Sequence, residues 1–235
     1  GMYMKYNIFC CNNKIITIIF SLLLLNPQSA FCDFTKAWDE ASPSVVSVLP
    51  TWPGYQKPGF GAPAGTAPEG TGVIVSNKGL IVTASHVVSR ATEVLIRDID
   101  GKKYKSEVIF DDPRTDLAIL KTNIKGKKII INKSRPRIGS DVCLISNSFG
   151  LDLHITCGIV SSNKKSGIGF NPIEDFIQID ASANPGSSGG AVVNSDGELV
   201  GIMSGIFTKQ SDTNVGVNFA VSSELLLKTI KHLIK

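Results

Sequence analysis

The chain is short of several things, and each shortage closes off a class of protein. Aromatic residues make up 7% of its 235 residues and no basic run is interleaved with them, so a nucleic-acid surface is not expected despite a net charge of +4. The Lys/Arg-rich stretch 121–137 reads instead as a solvated connector. There are three histidines and five cysteines, with no C-x-x-C pair and no His/Cys cluster, so neither metal nor other cofactor is implied. No apolar run is long enough to span a bilayer: residues 15–25 are eleven, against the roughly 20 that a membrane helix needs. Helical periodicity is also scarce. What is plentiful is glycine (22 residues) and short apolar runs, within a composition that is 43% hydrophobic and so sufficient for a sizeable core.

The N-terminus reads as a targeting segment. Lys5 and Lys14 are its only charges before Asp33; the apolar run follows, then Asn26, Pro27 and small residues up to Ala30. A positive start, a short apolar middle and small residues at the end describe a secretory signal, residues 1–32, with cleavage expected near 30–32. An uncleaved segment would be a membrane association instead. Phe31 ahead of Cys32 argues against a lipid-modified cysteine. Export implies an oxidising location. Of the cysteines beyond residue 32, Cys143 and Cys157 lie symmetrically about Gly150 and would face each other in a simple hairpin. A bond is permitted there, but two separately buried thiols are the favoured expectation.

Beyond the signal, a short helix is expected over 34–41 with Asp33 as its cap. Residues 50–70, dense in Gly and Pro, read as a long surface loop. Strands are expected at 44–49, 72–76, 80–83, 92–97, 103–110 and 117–121. A second set follows at 128–131, 141–146, 154–161, 176–179, 191–194, 198–205 and 215–221. Many short strands with no helices alternating between them argue for all-β barrels or a sandwich. A pause at 122–127 suggests a boundary, giving domains 33–127 and 128–235. Ser222 opens a C-terminal helix to residue 234, with Glu224 in its first turn and Lys231 and His232 in its last.

The chemistry concentrates in Asn184-Pro185-Gly186-Ser187-Ser188-Gly189-Gly190. A Gly-x-Ser-Gly-Gly loop presents a serine nucleophile, here Ser188, and leaves the Gly186 and Ser188 N–H groups free to form an oxyanion hole. A turn between two strands is the plain alternative. A nucleophilic serine needs a base, and the base needs an orienting group. His154 and His232 read as surface residues, whereas His86 follows the apolar strand 80–83 in Ala84-Ser85-His86-Val87-Val88. Asp116 opens Asp116-Leu117-Ala118-Ile119-Leu120, where a buried carboxylate would need an N–H partner such as an imidazole. Asp98, Asp100, Asp111 and Asp112 read as turn residues. The order His86, Asp116, Ser188 is that of chymotrypsin-type double barrels.

Further motifs accompany this triad: Ala41-Ser42-Pro43-Ser44-Val45-Val46, Gly70-Thr71-Gly72-Val73-Ile74-Val75, Asp112-Pro113-Arg114-Thr115-Asp116-Leu117-Ala118, Gly158-Ile159-Val160-Ser161, Phe176-Ile177-Gln178-Ile179-Asp180, Gly197-Glu198-Leu199-Val200-Gly201-Ile202 and Val217-Asn218-Phe219-Ala220-Val221. Together they resemble the HtrA (Deg) family of trypsin-like serine proteases. The resemblance implies two six-stranded antiparallel β-barrels, a serine endopeptidase acting on misfolded or unfolded polypeptides, and a homotrimer assembled through the N-terminal segment and aromatics such as Phe34, Trp38 and Trp52. It also implies Ser204, Gly205 and Ile206 as the substrate-binding strand, Ile206 flooring the first specificity pocket, and an oxyanion loop able to collapse and re-form. Ser182 stands where enzymes selecting basic residues carry aspartate, so small or medium aliphatic side chains are expected there. Two departures stand out: Ala84-Ser85 replaces a usual pair of asparagines, and Ser187 replaces the asparagine before the nucleophile. The family continues into PDZ domains; whether this protein does is open. Two other classes compete, a catalytically silent chaperone-like or scaffold relative and a membrane-anchored sensor protease.

Overall fold

A computed structural model describes residues 33–55, 67–208 and 214–234, with the backbone alone at 206–208 and 214. The signal segment, the centre of the 50–70 loop and the side chain of Ile206 therefore lie outside the described residues. The chain divides into Gly1–Asp33 and Phe34–Lys235, and the fold below is that of the second unit.

Twelve strands form two closed six-stranded antiparallel barrels. The first holds β1 (Val45–Thr51), β2 (Gly70–Ser76), β3 (Leu80–Ala84), β4 (Glu93–Arg97), β5 (Lys103–Asp112) and β6 (Leu117–Thr122), in the order β1-β2-β3-β6-β5-β4. The second holds β7 (Asp141–Ser146), β8 (His154–Lys165), β9 (Phe176–Ile179), β10 (Ala191–Val193), β11 (Leu199–Thr208) and β12 (Asn214–Ser222), in the order β10-β11-β12-β9-β8-β7. Helices are short: α1 (Thr35–Ala41), α2 (Ser85–Val88) and α3 (Ser223–Ile230).

Side-chain alternation explains why these strands are apolar on both faces. One face fills a barrel: Val46, Val48, Ile74, Ile81, Ile96, Ala118 and Leu120 in the first, and Val142, Leu144, Val160, Ile177, Ile179 and Val192 in the second. The other face packs between the barrels, where Val45, Val73, Val82, Leu117 and Ile119 meet Cys143, Ile145, Ala191 and Val193 in one cluster. Every residue of β2 is buried as a result. Ala37 and Ala41 of α1 join that same cluster, as does α3 through Leu225, Leu226 and Ile230.

Four expectations are corrected. The segment 128–131 is not a strand. It runs extended between the barrels, its Ile129 N–H donating to Ile74 and its Ile130 carbonyl accepting from Leu199, and only Ile131 makes an isolated bridge. Helix α1 starts at Thr35, one residue later than expected, and Phe34 rather than Asp33 stands at the N-cap position. Cys143 and Cys157 are disulfide-bonded rather than separate thiols: β7 and β8 pair them directly, with their Cα atoms 4.1 Å apart. At the other end Ser222 caps α3, its hydroxyl accepting from the Leu225 N–H at 3.1 Å, but the helix ends at Ile230.

Candidate active site

The β3–β6 ladder builds the first half of the site. Its register ends at Ala84 opposite Leu117, and the Ser85 N–H extends it by donating to the Asp116 carbonyl at 3.1 Å. The next residue on one side is His86, in the single turn of α2, and on the other it is Asp116 itself. Asp116 has a positive φ of 59°, a conformation that aspartate tolerates better than most residues. This turns its carboxylate inward, where it is 6% exposed. There it accepts from the His86 backbone N–H at 3.0 Å, faces His86 Nδ1 at 2.9 Å, and accepts from the Ser204 hydroxyl at 2.5 Å. A buried carboxylate with three donors is satisfied, which offsets its desolvation. Beside it, burial pushes the Asp112 carboxyl up, but hydrogen bonds from Arg114 outweigh this and hold it below its ordinary value.

The second barrel supplies the serine. Ser188 sits in the loop between β9 and β10, with its Oγ 2.9 Å from His86 Nε2. Its carbonyl accepts from the Thr71 N–H at 2.9 Å, so β2 of the first barrel pins the loop from below. Thr71 reaches further: its hydroxyl donates to the Gly186 carbonyl at 2.8 Å and accepts from the Asn147 N–H at 3.0 Å.

Just before the serine, the 184–187 turn closes with the Ser187 N–H on the Asn184 carbonyl at 2.8 Å. Proline second and a positive-φ glycine third is the type II pattern. Gly186, at φ 98°, is required: a Cβ there would lie 2.4 Å from the Asn147 carbonyl oxygen and 2.9 Å from the Phe149 nitrogen. The Pro185 carbonyl is held by the Phe149 N–H at 2.7 Å. In a trans peptide the N–H points opposite to the C=O, so the Gly186 N–H faces away from Phe149. Neither it nor the Ser188 N–H donates to an acceptor among the described residues. Ser187, in the place of an expected asparagine, is buried within a serine cluster. Its hydroxyl lies 2.7 Å from that of Ser148 and 3.0 Å from that of Ser146, and it accepts from the Asn184 N–H at 3.1 Å.

The 147–152 segment that grips Pro185 is itself tied to the first barrel. Arg97 pairs bidentately with Glu69 at 3.0 and 2.8 Å, and Glu69 accepts from the Asn147 side chain at 2.7 Å. The Glu69 hydrogen bond raises the Arg97 pKa, against the lowering effect of burial. Sequence reasoning missed Thr71, Glu69 and Arg97 because they act through contacts 28 to 115 residues apart along the chain. Ser204, expected on the substrate-binding strand, also donates its hydroxyl to Asp116, a contact the sequence did not indicate. His154 and His232 stand apart from the site, the first near the Asp152 carbonyl and the second against the Phe110 ring.

Past Met203, β11 has no strand partner on one side among the described residues. Its pairing with β10 ends at Ala191–Ile202 and the Met203–Gly190 bond, while β12 continues on its other edge. Ser204 and Gly205 thus border a cavity of about 410 Å³ that also touches His86, Asp116, Pro113 and Phe170.

Two barrels meeting over a Ser–His–Asp hydrogen-bond chain define the trypsin-like class of peptidase. Residues 70–202 match the family described as trypsin-like peptidase domain. The chain is 37% identical over 187 residues to a probable periplasmic serine endoprotease DegP-like of Brucella suis, covering 78% of this chain and 34% of that protein. It is 40% identical over 171 residues to the serine endoprotease DegS of Escherichia coli K12, covering 71% and 48%. Among solved structures, the HtrA-type protease AlgW with tripeptide superposes with a TM-score of 0.76 at 32% identity, covering 86% of this chain and 64% of that one. A serine endoprotease from Yersinia pestis superposes at 0.69 and 33% identity, covering 86% and 66%. The chain belongs to the trypsin-like peptidases, in their HtrA branch, and spans less than half the length of the curated relatives it matches.

Proposed function

We propose that the protein is an exported serine endopeptidase that hydrolyses unfolded polypeptides through an acyl-enzyme. The observation that carries this reading is the continuous chain from Asp116 through His86 to Ser188, with contacts of 2.9 Å at both ring nitrogens. In the reaction His86 Nε2 takes the Ser188 proton as Oγ attacks the carbonyl, and later gives it to the leaving amine. Asp116 holds the ring with Nδ1–H inward and stabilises the imidazolium. The Gly186 and Ser188 N–H groups receive the oxyanion, each such donor contributing on the order of 3 kcal/mol to the transition state. The Phe149–Pro185 hydrogen bond keeps this hole in its open arrangement; its loss would let the peptide turn over and close the hole.

The substrate backbone pairs with the free edge of β11 at Ser204 and Gly205, with Ile206 beyond them. Export to the periplasm rests on the Lys5/Lys14 start and apolar run of residues 1–32, and accords with the periplasmic names of relatives such as the Brucella protein. Among the described residues no helix is long and apolar enough to cross a membrane. Assembly as a homotrimer through the segment bearing Phe34, Trp38 and Trp52 belongs to the same reading.

One preparation tests it. Protein recovered from the periplasmic fraction should begin near residues 31–33, run as a trimer and degrade casein, and Ser188→Ala should abolish casein degradation while leaving size and melting temperature unchanged. Casein degradation that survives Ser188→Ala removes the mechanism; a folded wild type without activity favours a silent relative.

A further inference from the structure

The cavity beside His86 has an unusual wall. Gly205 carries no side chain, and the space one would enter is filled from elsewhere in the fold: a Cβ on Gly205 would lie 3.0 Å from two carbons of the Phe170 ring. Phe170 is the outermost of three packed aromatics. Its ring lies 5.6 Å from Phe219 and 6.4 Å from Phe176, and those two are 5.8 Å apart. Phe176 and Phe219 are 0% and 4% exposed, whereas Phe170 is 42% exposed. The core thus extends an apolar face out to the surface at the edge of the catalytic cavity, where leaving it in water is unfavourable unless something covers it.

The ring is held there by its backbone. The Glu174 carboxylate accepts from the N–H groups of Ile168, Gly169, Phe170 and Asn171, at 2.6 to 3.1 Å. The Ile173 N–H donates to the Arg114 carbonyl at 2.9 Å, two residues before Asp116. The loop carrying Phe170 is therefore fastened to both barrels, and its ring position is set by the same framework as the triad.

The direction of the substrate follows from the strand edge. A chain lying extended along Ser204 and Gly205, with its scissile carbonyl at Ser188, alternates its side chains. The residue one before the scissile residue then places its side chain between His86 and Phe170. Of the cavity's polar groups, Asp116 is engaged with His86 and Ser204, and Ser85 with Asp111, while Ser89 and Asn171 also line it. The apolar surface it offers a side chain is the Phe170 ring and the Pro113 ring, beside the imidazole edge.

We infer that Phe170 is a specificity-determining residue, its ring forming the wall of the subsite that takes the side chain one residue N-terminal to the scissile residue and selecting an apolar one. The inference rests on the protease reading above. Fluorogenic peptides identical except for Leu, Phe, Gly or Asp at that position test it, alongside the rate of labelling of Ser188 by a small fluorophosphonate that has no such side chain. Wild type should prefer Leu over Gly by about ten-fold or more in kcat/KM, the factor expected from burying one aliphatic side chain. Phe170→Ala should bring that ratio down to about two, with the Gly peptide and fluorophosphonate rates unchanged. Phe170→Leu should restore most of the preference, which separates lost apolar contact from a disordered loop. An unaltered Leu/Gly ratio in Phe170→Ala, or a wild type that cleaves Gly and Leu peptides equally, overturns the inference while leaving the protease intact. Wild type that neither labels nor cleaves any peptide overturns both readings.

Discussion

Gly186→Ala is the sharpest test of how the nucleophile loop is built. The methyl group would meet only backbone: the Asn147 carbonyl oxygen at 2.4 Å, the Phe149 nitrogen at 2.9 Å and the Ser148 Cα at 3.2 Å. None of these three nearest atoms belongs to a flexible side chain that could move aside. Alanine at φ 98° carries a further strain of about 1–3 kcal/mol. The cheapest relief is rotation of the 185–186 peptide, which breaks the Phe149–Pro185 hydrogen bond, worth about 1 kcal/mol net, and takes the Gly186 N–H out of the oxyanion site. The expected stability loss is about 2–4 kcal/mol, or a fall in melting temperature of roughly 4–16 °C for a domain of this size. Losing one oxyanion donor should lower kcat by about 10²–10³ with little change in KM. Gly101→Ala is the control, since Gly101 also has a positive φ, 85°, but open space around its missing Cβ. It should show the conformational strain alone, with full activity. The assay is kcat and KM on one peptide, with thermal unfolding on the same samples. If Gly186→Ala keeps wild-type kcat and melts like Gly101→Ala, the assignment of the Gly186 N–H to the hole is wrong.

Two further outcomes follow from the structure. The Cys143–Cys157 bond joins residues with a sequence separation of 14, a constraint worth up to about 3 kcal/mol; reduction, or the Cys143→Ala/Cys157→Ala double variant, should lower the melting temperature by up to roughly 6–12 °C, and an unchanged value would show that the hairpin is equally held without it. For Glu174, burial pushes the carboxyl up, but four backbone donors outweigh it and hold its pKa below the ordinary 4.5. A depressed folded value means the restraint is fully present above 4.5 and is lost as pH falls through the lowered value. Amide protection factors at residues 168–171, taken against the intrinsic exchange rate at each pH, should therefore stay high from pH 7 to pH 5 and fall at more acidic pH, and Glu174→Gln should lower them throughout. Equal protection in that variant would refute the carboxylate's part.

Much of the site was legible because its chemistry is local in sequence. Gly-x-Ser-Gly-Gly, a histidine closing an apolar strand and an aspartate opening another each point to a role, and the structure brings Asp116, His86 and Ser188 within hydrogen-bond reach. The strand pattern was legible as well, since turn residues bound each apolar run. The segment 128–131 misled for a physical reason: a buried extended linker and a strand share the same apolar composition, and only its neighbours distinguish them. The cysteines misled for a related one. Their symmetry about Gly150 suggested a hairpin, but pairing depends on the strand register that places Cys143 opposite Cys157.

The sequence by itself determined an all-β chain with short strands, a Gly-x-Ser-Gly-Gly loop shaped by glycine, and the candidate residues His86, Asp116 and Ser188, because backbone conformation and side-chain chemistry are properties of single residues and their immediate neighbours. Tertiary structure alone decided what holds that loop and what borders it. Thr71 pins Ser188 from the opposite barrel, Phe149 grips the Pro185 carbonyl, and Glu69 with Arg97 ties the gripping segment down. Phe170 fills the face that Gly205 leaves bare. Each of these is a contact between segments far apart along the chain, and no residue's own chemistry records which distant partner the closing of two barrels will bring to it.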